Sequence, residues 1–345
     1  MKAWIEKVRS GEFFGSAEIR ELAADLLSPD ATDEEKAGFL ETFHARGESA
    51  EEIAFLASAF LEMAEPFEIS ADLRPFIDVC GTGGDKLGLF NISTAVMFVA
   101  AGAGLRVVKH GNRGVTSRSG GADVLGALGI PADLAPDKLA AMLEESGATF
   151  LFAPRFHPAF KSVAPARKLL AARGKASVFN MLGPLLNPAR PAFQLAGVFS
   201  AHLVPLYADI LPRIGRTRAW VVHGRAGHGV MDEISTLGPT TISEVSATGS
   251  RQTEFDASAF FPRPAGVEEL RGGDAGENAD ILLSILSGAR RGAARDIVLL
   301  NAAGALQAAG AAAGWEESLA SAAESVDSGA AMGVLTAMRR VSERS

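Results

Sequence analysis

Between Trp4 and Met63 apolar residues recur at three- and four-residue spacing with charged residues between them, which predicts a run of amphipathic helices. Thr32 with Glu35, and Ser49 with Glu52, stand just ahead of two such runs, and each pair is a capping box that predicts a helix start. From about Pro75 the pattern changes. The short apolar runs "FIDVC", "LRVVK", "TFLFA", "FQLAGVF" and "RAWVVHG" alternate with Ala- and Leu-rich helical stretches, the signature of an α/β sheet. Between the third and fourth runs, "HPAFKSVAPARKLLAARG" reads as helical and "FNMLGPLLNPARP" as an irregular Pro-rich turn. From Glu277 on, Leu, Ile and Val keep helical spacing between glycines, and no internal repeat is visible.

Composition narrows the class. A chain of 345 residues, 48% apolar and 21% charged, is long enough for one large domain or two ordinary ones and has the balance of a soluble globular enzyme. The net charge of −8 argues against a general nucleic-acid binder, which would carry a basic face. A single cysteine, Cys80, excludes an internal disulfide framework, fits a reducing cytoplasm and reads as a small buried hydrophobe. The opening "MKAWIEKVRSGEFF" has charges throughout, so no signal peptide is expected. The longest apolar run, Ala95 to Leu105, is far short of the roughly 20 residues that span a bilayer.

Chemistry concentrates in three places. The stretch "DVCGTGGDKLGLFNIST" follows a strand-like run and feeds "TAVMFVAAGAG", whose small residues suit a buried helix. It fails the dinucleotide fingerprint, because Lys86 stands where the third glycine belongs, and it lacks the Gly-Lys-Ser/Thr of a P-loop. What remains is either a tight turn or a loop whose backbone N–H groups, at a helix start, hold an anion. "KHGNRGVTSRSGGADVLGALG" sets Lys109, Arg113 and Arg118 among Gly111, Gly114, Gly120 and Gly121, the composition of a phosphate cradle, with Ser119 as the expected cap of a helix from about Ala122. Asp232 and Glu233, after the strand "AWVVHG", are hard oxygen ligands of the kind that Mg²⁺ takes together with phosphate oxygens. A phosphorylated substrate and magnesium follow from the three together.

"GTGGD" (81–85), "NIST" (91–94), "KHGNR" (109–113), "FNMLGPLLNP" (179–188), "MDE" (231–233), "GGDAGENA" (272–279) and "LLNAAGAL" (299–306), in this order, resemble the anthranilate phosphoribosyltransferase family over nearly the whole chain. The resemblance implies a small helical domain, residues 1–70 joined by helices from about 155–190. It further implies a larger α/β domain, 75–345, with a central, mostly parallel sheet of the nucleoside phosphorylase and class II phosphoribosyltransferase type, in a cytoplasmic homodimer without nucleic-acid or membrane partners. The implied reaction moves a phosphoribosyl group from phosphoribosyl pyrophosphate to the amine of anthranilate in tryptophan biosynthesis, with Mg²⁺, two ions, as cofactor.

Carried over position by position, Gly81, Gly84 and Asp85 would line the donor, with Leu89 beside it, and Asn91, Ile92, Ser93 and Thr94 would hold its phosphates. Lys109, His110, Gly111, Asn112, Arg113, Gly114, Val115, Thr116 and Ser117 would close over it, backed by Gly121. Ser93, Asp232 and Glu233 would ligate the metal, and no side chain would serve as nucleophile. Asn112, Arg167 and the Gly81 backbone match positions that contact anthranilate, with His110 and His157 nearby. The chain departs from the family pattern at Leu89, usually Thr; at Ala176-Ser177, usually Arg-Thr; and at Gly229-Val230, usually Asp-Gly. Two alternatives are a pyrimidine nucleoside phosphorylase, whose phosphate loop reads Lys-x-Ser-x-Arg where this chain has "KHGNR", and a non-catalytic nucleic-acid-binding paralogue, which would lose these motifs and gain a basic groove.

Overall fold

A computed structural model describes residues 1–84, 86–114, 118–263 and 265–344. Four helices come first: α1 (Lys2–Arg9), α2 (Ser16–Leu27), α3 (Asp33–Arg46) and α4 (Ala50–Glu62). Both capping boxes form: the Thr32 hydroxyl accepts the Glu35 N–H at 3.2 Å and the Ser49 hydroxyl accepts the Glu52 N–H at 3.1 Å. The buried Glu52 carboxylate also takes the Phe14 N–H and the Arg46 guanidinium, so a helix cap doubles as an anchor for the α1–α2 connection.

The sheet follows. Strand β1 (Ile77–Gly81) leads to α5 (Ile92–Gly102); β2 (Val107–Gly111) to α6 (Gly121–Ala127) and α7 (Pro136–Ser146); β3 (Ala148–Phe152) to α8 (Ala153–Phe156), α9 (Ala164–Ala172) and α10 (Phe179–Leu182). Then come β4 (Phe193–Gly197), α11 (Leu203–Arg213), β5 (Arg218–Ala226), β6 (Gly229–Met231), β7 (Thr240–Ser246) and β8 (Gly249–Phe255). Helices α12 (Ala275–Leu286), α13 (Ala293–Ala309), α14 (Trp315–Asp327) and α15 (Ala330–Ser342) close the chain. The strand order is β3-β2-β1-β4-β5-β7-β8, with β6 on β5; β3 to β5 in that order are parallel and the last pairings antiparallel.

All five apolar runs of the sequence are the parallel strands. Their two-sided burial is what a parallel sheet under helices demands. The sequence pattern does not anticipate the antiparallel ribbon β6–β8, because β8 is polar and exposed and the buried positions of β7 mix Thr240 and Ser243 with Ile242 and Val245, which leaves little apolar alternation. Alternate residues of β4 and β5 feed opposite cores: Leu195, Trp220 and Val222 pack with α5 and α13, whereas Ala196, Ala219 and Val221 pack with α1–α4, α9 and α11. The sheet is thus a shared wall. The stretch expected to be helical at 157–174 is broken, with a 3₁₀ segment at Pro158–Ser162 before α9, since Pro158 and Pro165 each reset the backbone.

Candidate active site

The C-terminal ends of β1, β2, β4 and β5 meet at one rim, and the loops that leave them carry the motifs. At the end of β1 the backbone passes so close to Asp232 that a Cβ on Gly81 would lie 2.2 Å from its carboxylate oxygen Oδ2. One glycine later the chain turns with Gly83 at φ +70° and donates its N–H to the same oxygen at 2.7 Å. Burial raises the pKa of Asp232 above the usual carboxylate range, a carboxylate in want of a cation. Glu233 is its half-buried neighbour. Asp85 lies outside the described residues.

The loop then reaches α5. Leu89 is half-buried against the core and bridges Arg271; the Gly272 N–H donates to Gly88 O and the Phe90 N–H to Leu270 O. Asn91 is the N-cap residue, and Ile92, Ser93 and Thr94 form the first helical turn, where N–H groups and dipole favour an anion. Asn91 is held from both sides: Asn278 Nδ2 donates to its Oδ1 at 2.8 Å, and its own Nδ2 donates to Ser119 O at 3.2 Å. In the sequence Asn278 is one letter of "GGDAGENA"; its partner 187 residues away is what gives it a role.

Lys109 is buried, and its ammonium donates to Val79 O and, at 3.1 Å, to Ser93 Oγ. Arg113 and Arg118 are exposed, so the three cations of the motif are not one cluster. The glycine-rich loop is braced by its own acid. Asp123 Oδ2 accepts the N–H of Gly114 at 2.8 Å and of Gly120 at 2.9 Å; burial works against its charge, but these bonds and Arg113 hold its pKa below the usual value. Gly120, not Ser119, is the N-cap of α6, and the helix begins at Gly121, because this carboxylate already serves the Gly120 N–H. Val115, Thr116 and Ser117 lie outside the described residues.

Beside Gly81 opens a cavity of about 230 Å³. Strand ends contribute Cys80, Gly81, His110, Gly111 and Asn112; the segment after β3 contributes His157, Phe160 and Arg167; α10 and the turn after it contribute Phe179, Leu182, Gly183, Pro184 and Leu186. Arg167, exposed on α9, lies over the Phe179 ring with its guanidinium carbon 5.1 Å from the centroid. His157 donates through Nε2 to Leu186 O at 2.8 Å and stacks on Phe160 at 5.1 Å. His110 is 7% exposed, and its Nε2 is buried with no hydrogen-bond partner among the described residues. Burial, helped by His157, pushes its pKa down to about 3, so the ring is neutral. Cys80 is buried and its thiol pKa is pushed well up, which suits a packing role.

The site thus joins a helix start that favours an anion and a half-buried carboxylate to an aromatic-lined cavity holding one arginine. Of the positions expected in it, Gly81, His110, Gly111, Asn112, His157 and Arg167 line the cavity, Asn91 and Ser93 stand at the start of α5 with Ile92 and Thr94 buried beside them, and Asp232 lies against Gly81; Leu89 packs on the core, and Arg113, Gly114 and Gly121 belong to the adjoining loop and the start of α6. Sequence reasoning did not single out Phe160 and Phe179, which wall the cavity, or Asp78, Asn187, Gln194 and Arg216 beneath it. Asn187 Nδ2 donates to Asp78 Oδ2 at 2.9 Å and to Val108 O at 2.7 Å, and Asp78 Oδ1 accepts the His110 N–H at 3.3 Å.

Residues 2–64 match a family described as "Glycosyl transferase family, helical bundle domain" and residues 73–332 one described as "Glycosyl transferase family, a/b domain". An anthranilate phosphoribosyltransferase of Rubrobacter xylanophilus is 43% identical over 99% of this chain and 97% of its own. The crystal structure of the Thermus thermophilus anthranilate phosphoribosyltransferase superposes with a TM-score of 0.89 at 37% identity, covering 99% of both chains. The Saccharomyces cerevisiae enzyme, in complex with PRPP and Mg, does so with a TM-score of 0.88 at 27% identity, covering 99% of this chain and 97% of that one.

Proposed function

We propose a site assignment for a chain that belongs to the anthranilate phosphoribosyltransferase family: the 230 Å³ cavity takes the aromatic acceptor, and the β1–α5 loop takes the phosphoribosyl donor. The chain is a glycosyltransferase that moves the phosphoribosyl group of phosphoribosyl pyrophosphate to anthranilate, a step of tryptophan biosynthesis, and it uses Mg²⁺. The observation that carries the assignment is Arg167 set against Phe179 in a cavity whose floor is Gly81, the residue packed on Asp232.

In this reading Arg167 pairs with the acceptor carboxylate, which a planar fork can do bidentately. The neutral His110 ring presents Nε2 as an acceptor for an amine N–H. The first turn of α5 and the Lys109 ammonium receive phosphate charge. The bond from C1 of the sugar to the pyrophosphate oxygen breaks with its electron pair leaving on oxygen, the amine nitrogen bonds to C1, and the proton the amine gives up leaves with the pyrophosphate. Walls that exclude water keep the oxocarbenium-like carbon for the amine. Asp232, Glu233 and Ser93 fit a hard cation, since Mg²⁺ takes one or two carboxylates and completes its shell with phosphate oxygens and water. When bound, the metal offsets charge on the departing pyrophosphate. Two ions, a homodimer and a cytoplasmic location complete the proposal; no helix among the described residues is long and apolar enough to cross a membrane.

The test is Arg167→Ala. The anthranilate KM rises by an amount worth about 1.5–3 kcal/mol, the range for a hydrogen bond to a charged group, while the donor KM stays put. An unchanged anthranilate KM in the folded variant removes the acceptor from this cavity.

A further inference from the structure

The inner wall of the cavity is α10 and the 3₁₀ turn Gly183–Leu185 that follows it, elements too short to pair all of their own carbonyls. One of them, Pro184 O, is held at 2.6 Å by the side-chain amide of Gln194. Gln194 is on β4 and has no exposed surface. The same Nε2 reaches Cys80 Sγ at 3.2 Å, so a single amide ties together two parts of the cavity lining that are 104 residues apart in sequence, Cys80 on β1 and Pro184 on the wall. Its other end, Oε1, accepts Nε of Arg216 at 2.8 Å.

The orientation of this amide is forced. A guanidinium can only donate and a carbonyl can only accept, so Oε1 must face Arg216 and Nε2 must face Pro184. Arg216 itself is 3% exposed and forms no ion pair with any carboxylate among the described residues. Burial lowers its pKa to about 10, and its Nη2 finds no hydrogen-bond partner there. Nη1 donates to Ile214 O at 3.3 Å and the charge of Asp78 favours the cation, yet a buried cation without an ion pair is costly, and apolar side chains would fill the space at less expense. What the arginine does supply is a fixed donor at the back of Gln194, which polarises the amide and strengthens its hold on the wall.

We propose that Gln194, oriented by Arg216, is a positioning residue for the aromatic acceptor: it sets where the 179–188 wall stands relative to Cys80 and Gly81, and with it the width of the acceptor slot. The inference rests on reading the cavity as the acceptor site. Its consequence is selective. Losing the tether loosens the acceptor and admits a bulkier ring, whereas the donor loop, held by Asn91 and Asp232, is untouched.

The experiment uses the full chain with Gln194→Glu, which keeps a partner for Arg216 but turns the group facing Pro184 O into an acceptor. The expected result is an anthranilate KM raised by up to about tenfold, the range of one hydrogen bond, with the phosphoribosyl pyrophosphate KM within about twofold. The rate with 4-methylanthranilate relative to anthranilate should rise. If Gln194→Glu does not fold, the double variant Gln194→Met with Arg216→Met removes donor and acceptor together, a change that burial tolerates better, and the same split is expected. Equal changes in both KM values, or none in a folded variant, overturn the proposal. Arg167→Ala is run beside them: if it raises the anthranilate KM and the Gln194 variants do not, the positioning role alone is rejected, and if neither moves it, the cavity reading falls first.

Discussion

Burial holds His110 neutral, and that has a measurable price in acid. Its pKa in the folded chain is about 3, below the ordinary 6.5, so as pH falls below 6.5 the unfolded chain binds a proton that the folded chain refuses. Stability therefore drops with falling pH by up to about 1.4 kcal/mol per unit across that window. Urea unfolding at pH 7 and pH 5 should give a loss of about 2 kcal/mol from this residue, and His110→Gln should remove that part of the slope. Equal slopes in both proteins would mean that the ring titrates freely. At this scale the sequence showed the charged and catalysis-like residues, because "KHGNR" and "MDE" are local strings. It hid Asp78, Asn187, Gln194 and Arg216, whose meaning lies in partners such as Asp78 for Asn187, 109 residues distant. A lone Gln inside an apolar run looks like an imperfection until its carbonyl partner is known.

At the scale of elements, the turn after β1 works through closeness rather than through flexibility alone. Gly81→Ala places a methyl against the Asp232 carboxylate, whereas a Cβ at Gly126, within α6, meets nothing within 4 Å. Gly81→Ala should cut turnover by about 100-fold, the scale of disturbing one preorganised electrostatic group, and raise the Mg²⁺ needed for half-maximal rate. Gly126→Ala should leave both unchanged. Comparable behaviour in the two variants would show that the contact with Asp232 is not used. The parallel strands and the capped helices were legible because their signals are local: apolar runs bounded by turns, and Ser or Thr three residues ahead of Glu. The ribbon of β6, β7 and β8 was not, since "TTISEVSATGSRQTEF" is held by cross-strand pairing, such as Glu244 opposite Arg251, and its buried face mixes Thr240 and Ser243 with Ile242 and Val245.

For the molecule as a whole, a single sheet serving two cores predicts uneven rigidity. Helices α5 and α13 are almost wholly buried, while β8 is mostly exposed and paired on one side. Amide hydrogen exchange should place β1, β2, α5 and α13 near the free energy of global unfolding and β8 well below it. Similar protection in β8 and α5 would contradict this picture. The domain arrangement was partly legible, in the change of texture near Pro75. Helices from about 155–190 were set beside the first four only through the family resemblance; not legible was that α11 packs there as well, which is a matter of which face of the sheet each crossover takes. The exposed rim of β8 also governs how copies behave toward one another in a concentrated solution. It ends the sheet with unpaired backbone facing water and with Arg251 and Glu254 on it. Charged side chains on an edge strand discourage one sheet from growing onto the next, and salt screens charge beyond about 10 Å at 0.1 M. Shelf life in brine, not only catalysis, is written into that last strand.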